Sequence, residues 1–366
     1  MTEATPAPAK LIEPGIYFGM PEDVYHLDPA LGSTSIKELV LDPIEYQHER
    51  LFGADKKETF ALKWGSAIHC RALEGRQSLA DRFPIEPSQA DYEGLLVSYD
   101  DLKKACSKLG VSPGKTKAEA IGKIREFDKD VPIWDEIKAV FDKEANGRTT
   151  IPKDAVQHIE RAVSWMQQDP YLSPVMEDGT ITAGASEVSI FYEDRGVRLK
   201  ARIDHLLAHA VLDLKSFRPI FAERVKPAAR KAIERMRYDL QAADYIRALR
   251  FAKGLWENGQ VFNNPYPPIF LETVFSSLDA LEDGSAPADT QLKWIWVLIK
   301  ASGAPQPIIR EFDLNSMIFR NAASEVEDAI DAYREYVETF GLDREWVPSI
   351  VPEKLGDQDF SPYAFL

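Results

Sequence analysis

Three consecutive runs of alternating apolar and polar residues, Ser186 to Tyr192, Val197 to Leu207 and Val211 to Phe217, constrain this chain more than any other feature. Period two sends successive side chains to opposite faces of a strand. Only Glu193-Asp194-Arg195-Gly196 and Ala208-His209-Ala210 separate the runs, and such lengths suit antiparallel hairpins. Helical patterns surround them. Ser33-Thr34-Ser35 offers N-cap hydroxyls to a helix running toward Asp42-Pro43, Ala61 to Glu74 has helical spacing around His69, and Ala155 to Gln168 leads to the strands. Beyond them lie a long helix over Ala228 to Lys253, apolar runs at Ile269 to Phe275 and Leu292 to Ile299 that read as buried strands, and an amphipathic closing helix, Ser316 to Phe340. Strands enclosed by helices on both sides predict an α/β or α+β layered fold with a mixed β-sheet, α/β being the reading taken here.

At 366 residues the chain is expected to form one large domain with an insertion, or two domains. The pattern breaks between Asp100 and Asp128 into two short helices joined by Leu109 to Lys117, which marks residues 99–128 as a helical insertion within a domain of residues 11–98 and 129–366. Met1 to Lys10, rich in Ala, Pro and Thr, reads as a disordered tail without the basic and apolar regions of a signal peptide. Two cysteines, Cys70 and Cys106, are too few for a disulfide framework, a structural zinc site or a four-cysteine iron–sulfur cluster, and fit a reducing, cytoplasmic setting. The longest apolar stretch, Trp294 to Ile299, is too short for a membrane span.

A formal charge of −15 argues against a uniformly basic, nucleic-acid-coating surface. One segment runs the other way: Arg195 to Arg237 is dense in Lys and Arg, with only Asp204, Asp213, Glu223 and Glu234 opposing them. Cationic charge confined to one groove suits an enzyme that holds a polyanion there and nowhere else.

Alternation sets Arg198, Lys200, Arg202 and Asp204 on one strand face, and Asp213 and Lys215 share a face of the next strand. A turn centred between Ala208 and His209 brings Asp204 opposite Asp213, with Cβ atoms roughly 4.5–5.5 Å apart. Two carboxylates so placed repel unless a cation sits between them, and Mg²⁺, which needs only one or two carboxylates, is the natural occupant. Lys215 would then face the same pocket, able to orient a water or screen charge on a phosphate. A symmetric hairpin would set Glu187 near Arg202. The Asp-x-Lys spacing alone is weak, since Asp101-Leu102-Lys103 repeats it in a helical context without a second carboxylate. A hairpin with a merely solvated charged face would show the same alternation.

Arg202-Ile203-Asp204 and Asp213-Leu214-Lys215, within Val197 to Lys215, resemble the catalytic hairpin of the exonuclease VIII (RecE) group of phage and prophage nucleases, in the PD-(D/E)XK superfamily. Three further segments resemble the group in the same order: Gly15-Ile16-Tyr17 through Tyr25-His26, Gly65-Ser66-Ala67-Ile68-His69 with Leu73-Glu74, and Tyr238-Asp239-Leu240-Gln241-Ala242-Ala243-Asp244-Tyr245. The resemblance implies a restriction-endonuclease-like core. Asp204, Asp213, the Leu214 carbonyl and His69 are its implied metal site, Lys215 its catalytic lysine, and Gln241 and Tyr245 its auxiliary residues; Glu187 joins these candidates from the adjoining strand, by the register of the hairpin alone. The resemblance also implies Mg²⁺, replaceable by Mn²⁺, and degradation of one strand of duplex DNA from an end, 5′ to 3′, in phage-type recombination. A ring-shaped homo-oligomer such as a tetramer and a single-strand annealing partner come with it. Arg198, Lys200 and Arg202 read as DNA contacts or as a solvated face. Residues 99–128 resemble SAP-type DNA-binding modules, with Lys115 and Lys117 as phosphate contacts, or form a purely structural insertion. A structure-specific endonuclease on the same fold and an inert DNA-end-binding scaffold are the rival readings.

Overall fold

The computed structural model describes residues 11–53, 59–220 and 223–347; the expected tail at residues 1–10 lies outside them. Seven strands form one mixed sheet: β1 (Gly15–Tyr17), β2 (Ala185–Asp194), β3 (Val197–Leu206), β4 (Ala210–Phe217), β5 (Val261–Phe262), β6 (Lys293–Lys300) and β7 (Pro307–Phe312). Their order is β7-β6-β4-β3-β2-β1-β5. The β2-β3-β4 meander is antiparallel, β4 and β6 pair in parallel, and β7 closes the edge antiparallel to β6. The β2–β3 turn needs only two residues, Arg195 and Gly196, both at positive φ, the twist a tight hairpin requires.

Helices cover both faces, as the sequence predicts. On one side α1 (Ser33–Leu41), α7 (Val225–Arg235), α8 (Tyr238–Glu257), α9 (Pro268–Asp283) and α10 (Met317–Phe340) enclose the larger core, which takes Val211, Phe217, Trp294 and Leu298 from the sheet. On the other, α2 (Phe60–Leu73) and α6 (Lys153–Gln168) pack on Leu212, Leu214, Ile295 and Val297. Among the described residues no helix is long and apolar enough to cross a membrane.

Two expectations fail. Ile269 to Phe275 is not a strand but the first half of α9, where a short apolar run carries no period able to separate strand from buried helix, and Pro268 at the first helical position opens a helix. The long helix over Ala228 to Lys253 is two helices, broken where Arg237 turns left-handed (φ 47°) under ion pairs to Asp239 and Glu325. That break starts α8 at Tyr238, beside β4.

The helices between residues 99 and 127 share a small core of their own. Helices α3 (Tyr99–Lys108) and α4 (Lys117–Phe127) bury Leu102, Cys106, Ala120 and Ile124 against Ile133. A capping box of Ser98 and Asp101 starts α3, and a bridge from Leu96 to Ile133 closes the excursion before α5 (Trp134–Ala145) begins.

Candidate active site

The register places Asp204 opposite Asp213, but the ladder stops short of them. Backbone pairing between β3 and β4 covers only His205 with Leu212 and Leu206 with Val211. Beyond that point the strands part, and Asp204 fills the gap with its own carboxylate, Oδ2 accepting from the Leu214 amide at 3.0 Å. Arg202 turns to β2, donating to Glu187, to Ser189 Oγ at 2.8 Å and to the Met20 carbonyl at 3.0 Å.

Asp213 is 1% exposed. Its Oδ1 accepts from Lys215 Nζ at 2.7 Å and from Gln241 Nε2 at 3.2 Å, while Oδ2 is buried without a hydrogen-bond partner among the described residues. Burial, aided by the neighbouring Asp204 charge and opposed by Lys215, pushes its carboxyl up to about 6. Burial alone would lower the Lys215 ammonium, but attraction to Asp213 and to Asp204, 3.8 Å away, outweighs it and raises the group above its ordinary value. Lys215 is therefore held as a cation.

His69, in the middle of α2, completes the ring. Its Nε2 lies 2.6 Å from the Leu214 carbonyl and its Nδ1 3.7 Å from Asp204 Oδ2. Glu187 joins by a distortion of β2: it is skipped in the pairing between Ser186–His205 and Val188–Ile203 and sits at φ 56°, a conformation rarely adopted by a residue with a Cβ. Strain of this kind is concentrated at functional sites. Burial, then Asp204, raises its carboxyl pKa against the pull of Arg202. Tyr245, one turn beyond Gln241 on α8, is buried, meets the Ser33 hydroxyl and lines the same cleft as His69, Glu187 and Asp204. That cleft, of about 750 Å³, also holds the start of α1, where Ser33, Thr34 and Ser35 follow an N-cap, Gly32, that has no capping side chain. Backbone amides at a helix start suit phosphate oxygens.

Among the described residues no three His, Cys, Asp or Glu side chains converge as a ligating cluster. A hard cation fits here on other grounds. The unpartnered Asp213 Oδ2, the Asp204 carboxylate and the Leu214 carbonyl are oxygen donors on facing stretches of two neighbouring strands, and Mg²⁺ keeps several waters of its own.

Other predicted contacts are placed differently. The Arg198 guanidinium donates to the Ile12 carbonyl at 2.7 Å and to Asp28 at 3.0 Å. Lys200 is buried, its ammonium donating to the carbonyls of Tyr25 (2.9 Å) and Asp28 (2.6 Å). The β3 face expected to lie open to a ligand is thus roofed by residues 12–31, and both side chains anchor that roof. The cationic stretch from Arg195 to Arg237 does not line one groove either: Arg195 pairs with Asp194, Glu327 and Asp331, Arg237 with Asp239 and Glu325, and Lys231 with Glu223. In the insertion Lys115 is exposed, whereas Lys117 is tied to Asp135 and to the Val97 carbonyl. Sequence reasoning missed Lys37, on α1 beside Tyr238; the Ser33 to Lys37 spacing of one helical turn was the available signal.

A family model described as a PDDEXK-like domain of unknown function (DUF3799) matches residues 33–261. That span runs from the start of α1 through the β2-β3-β4 meander and α8 to β5. No curated protein matches the chain. A solved structure described as a "Putative exonuclease" from Eubacterium rectale aligns with 75% of this chain and 97% of its own, at 13% identity and a TM-score of 0.33.

Proposed function

Because the chain belongs to this PDDEXK-like family, we propose that it is a divalent-metal-dependent deoxyribonuclease whose centre is Asp204, Asp213 and Lys215. The observation that carries the reading is the buried Asp213, one oxygen held by Lys215 and Gln241 and the other without a partner, beside the Asp204 carboxylate and the Leu214 carbonyl. When bound, a cation such as Mg²⁺, or Mn²⁺ in its place, would neutralise phosphate charge and acidify a water. The chain's own residues do the rest. Asp204 and Asp213 supply carboxylate oxygens, with the Leu214 carbonyl and His69 beside them. Lys215 holds a fixed positive charge where charge builds on a phosphate, preorganised by its bond to Asp213. Gln241 fixes Asp213 Oδ1, while Glu187 and Tyr245 shape the cleft wall.

The finer reading follows the sequence resemblance. The substrate is linear duplex DNA, one strand being degraded from an end, 5′ to 3′, to leave single strands for phage-type recombination. The protein acts in the cytoplasm, as a ring-shaped homo-oligomer, tetramer included, with a single-strand annealing protein as partner. Cys70 and Cys106, both buried and free, agree with a reducing compartment.

Linear duplex and relaxed, covalently closed circles of the same sequence, incubated with Mg²⁺ and with chelator at low salt, test this directly. Mononucleotides and a residual single strand are expected from the linear DNA only, with no loss in chelator or with Asp213→Ala. Rapid nicking of the circles, lost in Asp213→Ala, would replace exonuclease by endonuclease. Absence of any cleavage would overturn the nuclease reading.

A further inference from the structure

Among the described residues, one cation beside this site has no ion-pair partner. Lys37 lies one helical turn after Ser33 on α1, and its ammonium stands 5.3 Å from the centre of the Tyr238 ring. The Lys215 ammonium stands 5.2 Å from the same centre. One phenol thus faces two ammonium groups. The two helices meet along matched stripes, Ser33 and Lys37 of α1 against Tyr238, Gln241 and Tyr245 of α8, spacings that each keep one helix face. Gln241 and Tyr238 are in turn the residues that touch Asp213 and Lys215.

Lys37 is half-buried, and among the described residues it has no ion pair and no hydrogen bond. Burial, then repulsion from Lys215, lowers its pKa to about 8, against weaker pulls from Asp213, Asp239 and Asp244. The aliphatic stem alone would serve packing, and methionine would fill similar space without the cost of a partly desolvated charge. Lys215 has Asp213 as its partner, whereas Lys37 has no anion in ion-pair contact among the described residues.

We propose that Lys37 is a phosphate-binding residue, its ammonium meeting a non-bridging oxygen of the DNA strand held at Asp204, Asp213 and Lys215. This deepens the nuclease reading and rests on it. A phosphate oxygen at Lys37 offsets its repulsion from Lys215, so Lys37 gains most when phosphate charge is greatest, at the transition state. Tyr238 spaces the two ammonium groups and keeps Lys37 off the carboxylates.

The test uses the full chain with Lys37→Met and Lys37→Arg. Binding to an end-labelled linear duplex is followed over a salt series with Ca²⁺, and single-turnover cleavage with Mg²⁺. Lys37→Met is expected to slow cleavage at least tenfold and to flatten the plot of log affinity against log salt by about one unit, the loss of one phosphate contact. Lys37→Arg should keep the slope and recover most of the rate. An unchanged slope and rate in Lys37→Met, or equal losses in Met and Arg variants, would make Lys37 a packing residue. If Lys37→Met fails to fold by circular dichroism, Lys37→Gln carries the same comparison. Wild-type protein that neither binds nor cuts DNA overturns the nuclease reading itself, whereas active wild type with an indifferent Lys37→Met overturns only this proposal.

Discussion

Asp213 and Lys215 each make the other tolerable in a nearly dry site. Asp213→Asn keeps the shape but leaves Lys215 with only Asp204, 3.8 Å away. Breaking a buried pair costs about 3–5 kcal/mol, and the residual contact should hold the loss to the lower end. Cleavage should fall by orders of magnitude, while urea unfolding reports the stability change; retained activity would remove Asp213 from the centre. Lys215→Ala should be equally damaging to single-turnover cleavage, whereas Lys103→Ala, in the same tripeptide but exposed and paired with Asp100 on α3, should leave the rate unchanged. Asp244 makes a different prediction. Buried on α8 with Oδ2 unpartnered, its carboxyl is pushed by desolvation up to about 7, against about 3.9 in an unfolded chain. A raised folded pKa stabilises the fold below the unfolded value, and that contribution is lost as pH rises from about 4 to about 7. Asp244→Asn should therefore gain on wild type across this window, read as a growing difference in urea midpoint at pH 4, 5.5 and 7. A difference independent of pH would contradict it.

At the scale of elements, the strained turn of β2 and the insertion each make a claim. Glu187→Gly should release the positive-φ strain, worth of order 1 kcal/mol, while removing a cleft-wall carboxylate and the partner of Arg202. Slower cleavage without a matching fall in melting temperature is the expected pattern, and full activity would make the distortion purely structural. In the insertion, Lys104, Lys108 and Lys115 are exposed cations without an ion pair among the described residues, whereas Lys117 is bound to Asp135. If this module holds DNA, replacing those three with Gln should flatten the salt dependence of binding by two or three units. Lys117→Gln should do so far less. An unchanged slope in the triple variant assigns the module to structure. The elements were legible where their signal was local: the alternation of β2, β3 and β4 is carried by adjacent residues, and so is the facing of Asp204 and Asp213. Arg198 and Lys200 were not, because their partners lie at residues 12–31, some 170 positions earlier in the chain. The break at Arg237 depends on Glu325, from the last helix, and Ile269 to Phe275 offered apolarity without a period.

For the whole molecule, a seven-stranded mixed sheet with helices on both faces follows from the order of elements, and the PDDEXK-like core is the family's. Net charge proved a poor guide to where DNA would lie. The cations of Arg195 to Arg237 mostly answer acids already in the fold, Lys215 among them through Asp213, so the density of Lys and Arg along that segment does not by itself mark a groove. Finally, Leu96 and Ile133 are bridged neighbours, so the nuclease layers meet the whole excursion between them as though it were a single tight loop. The entropy of closing that loop is already met within the module's own core. This makes the junction a graft point: a fluorescent protein or a sequence-reading domain whose ends lie equally close could be exchanged for residues 97–132, giving a chimaera with a new address and the same seven-stranded sheet.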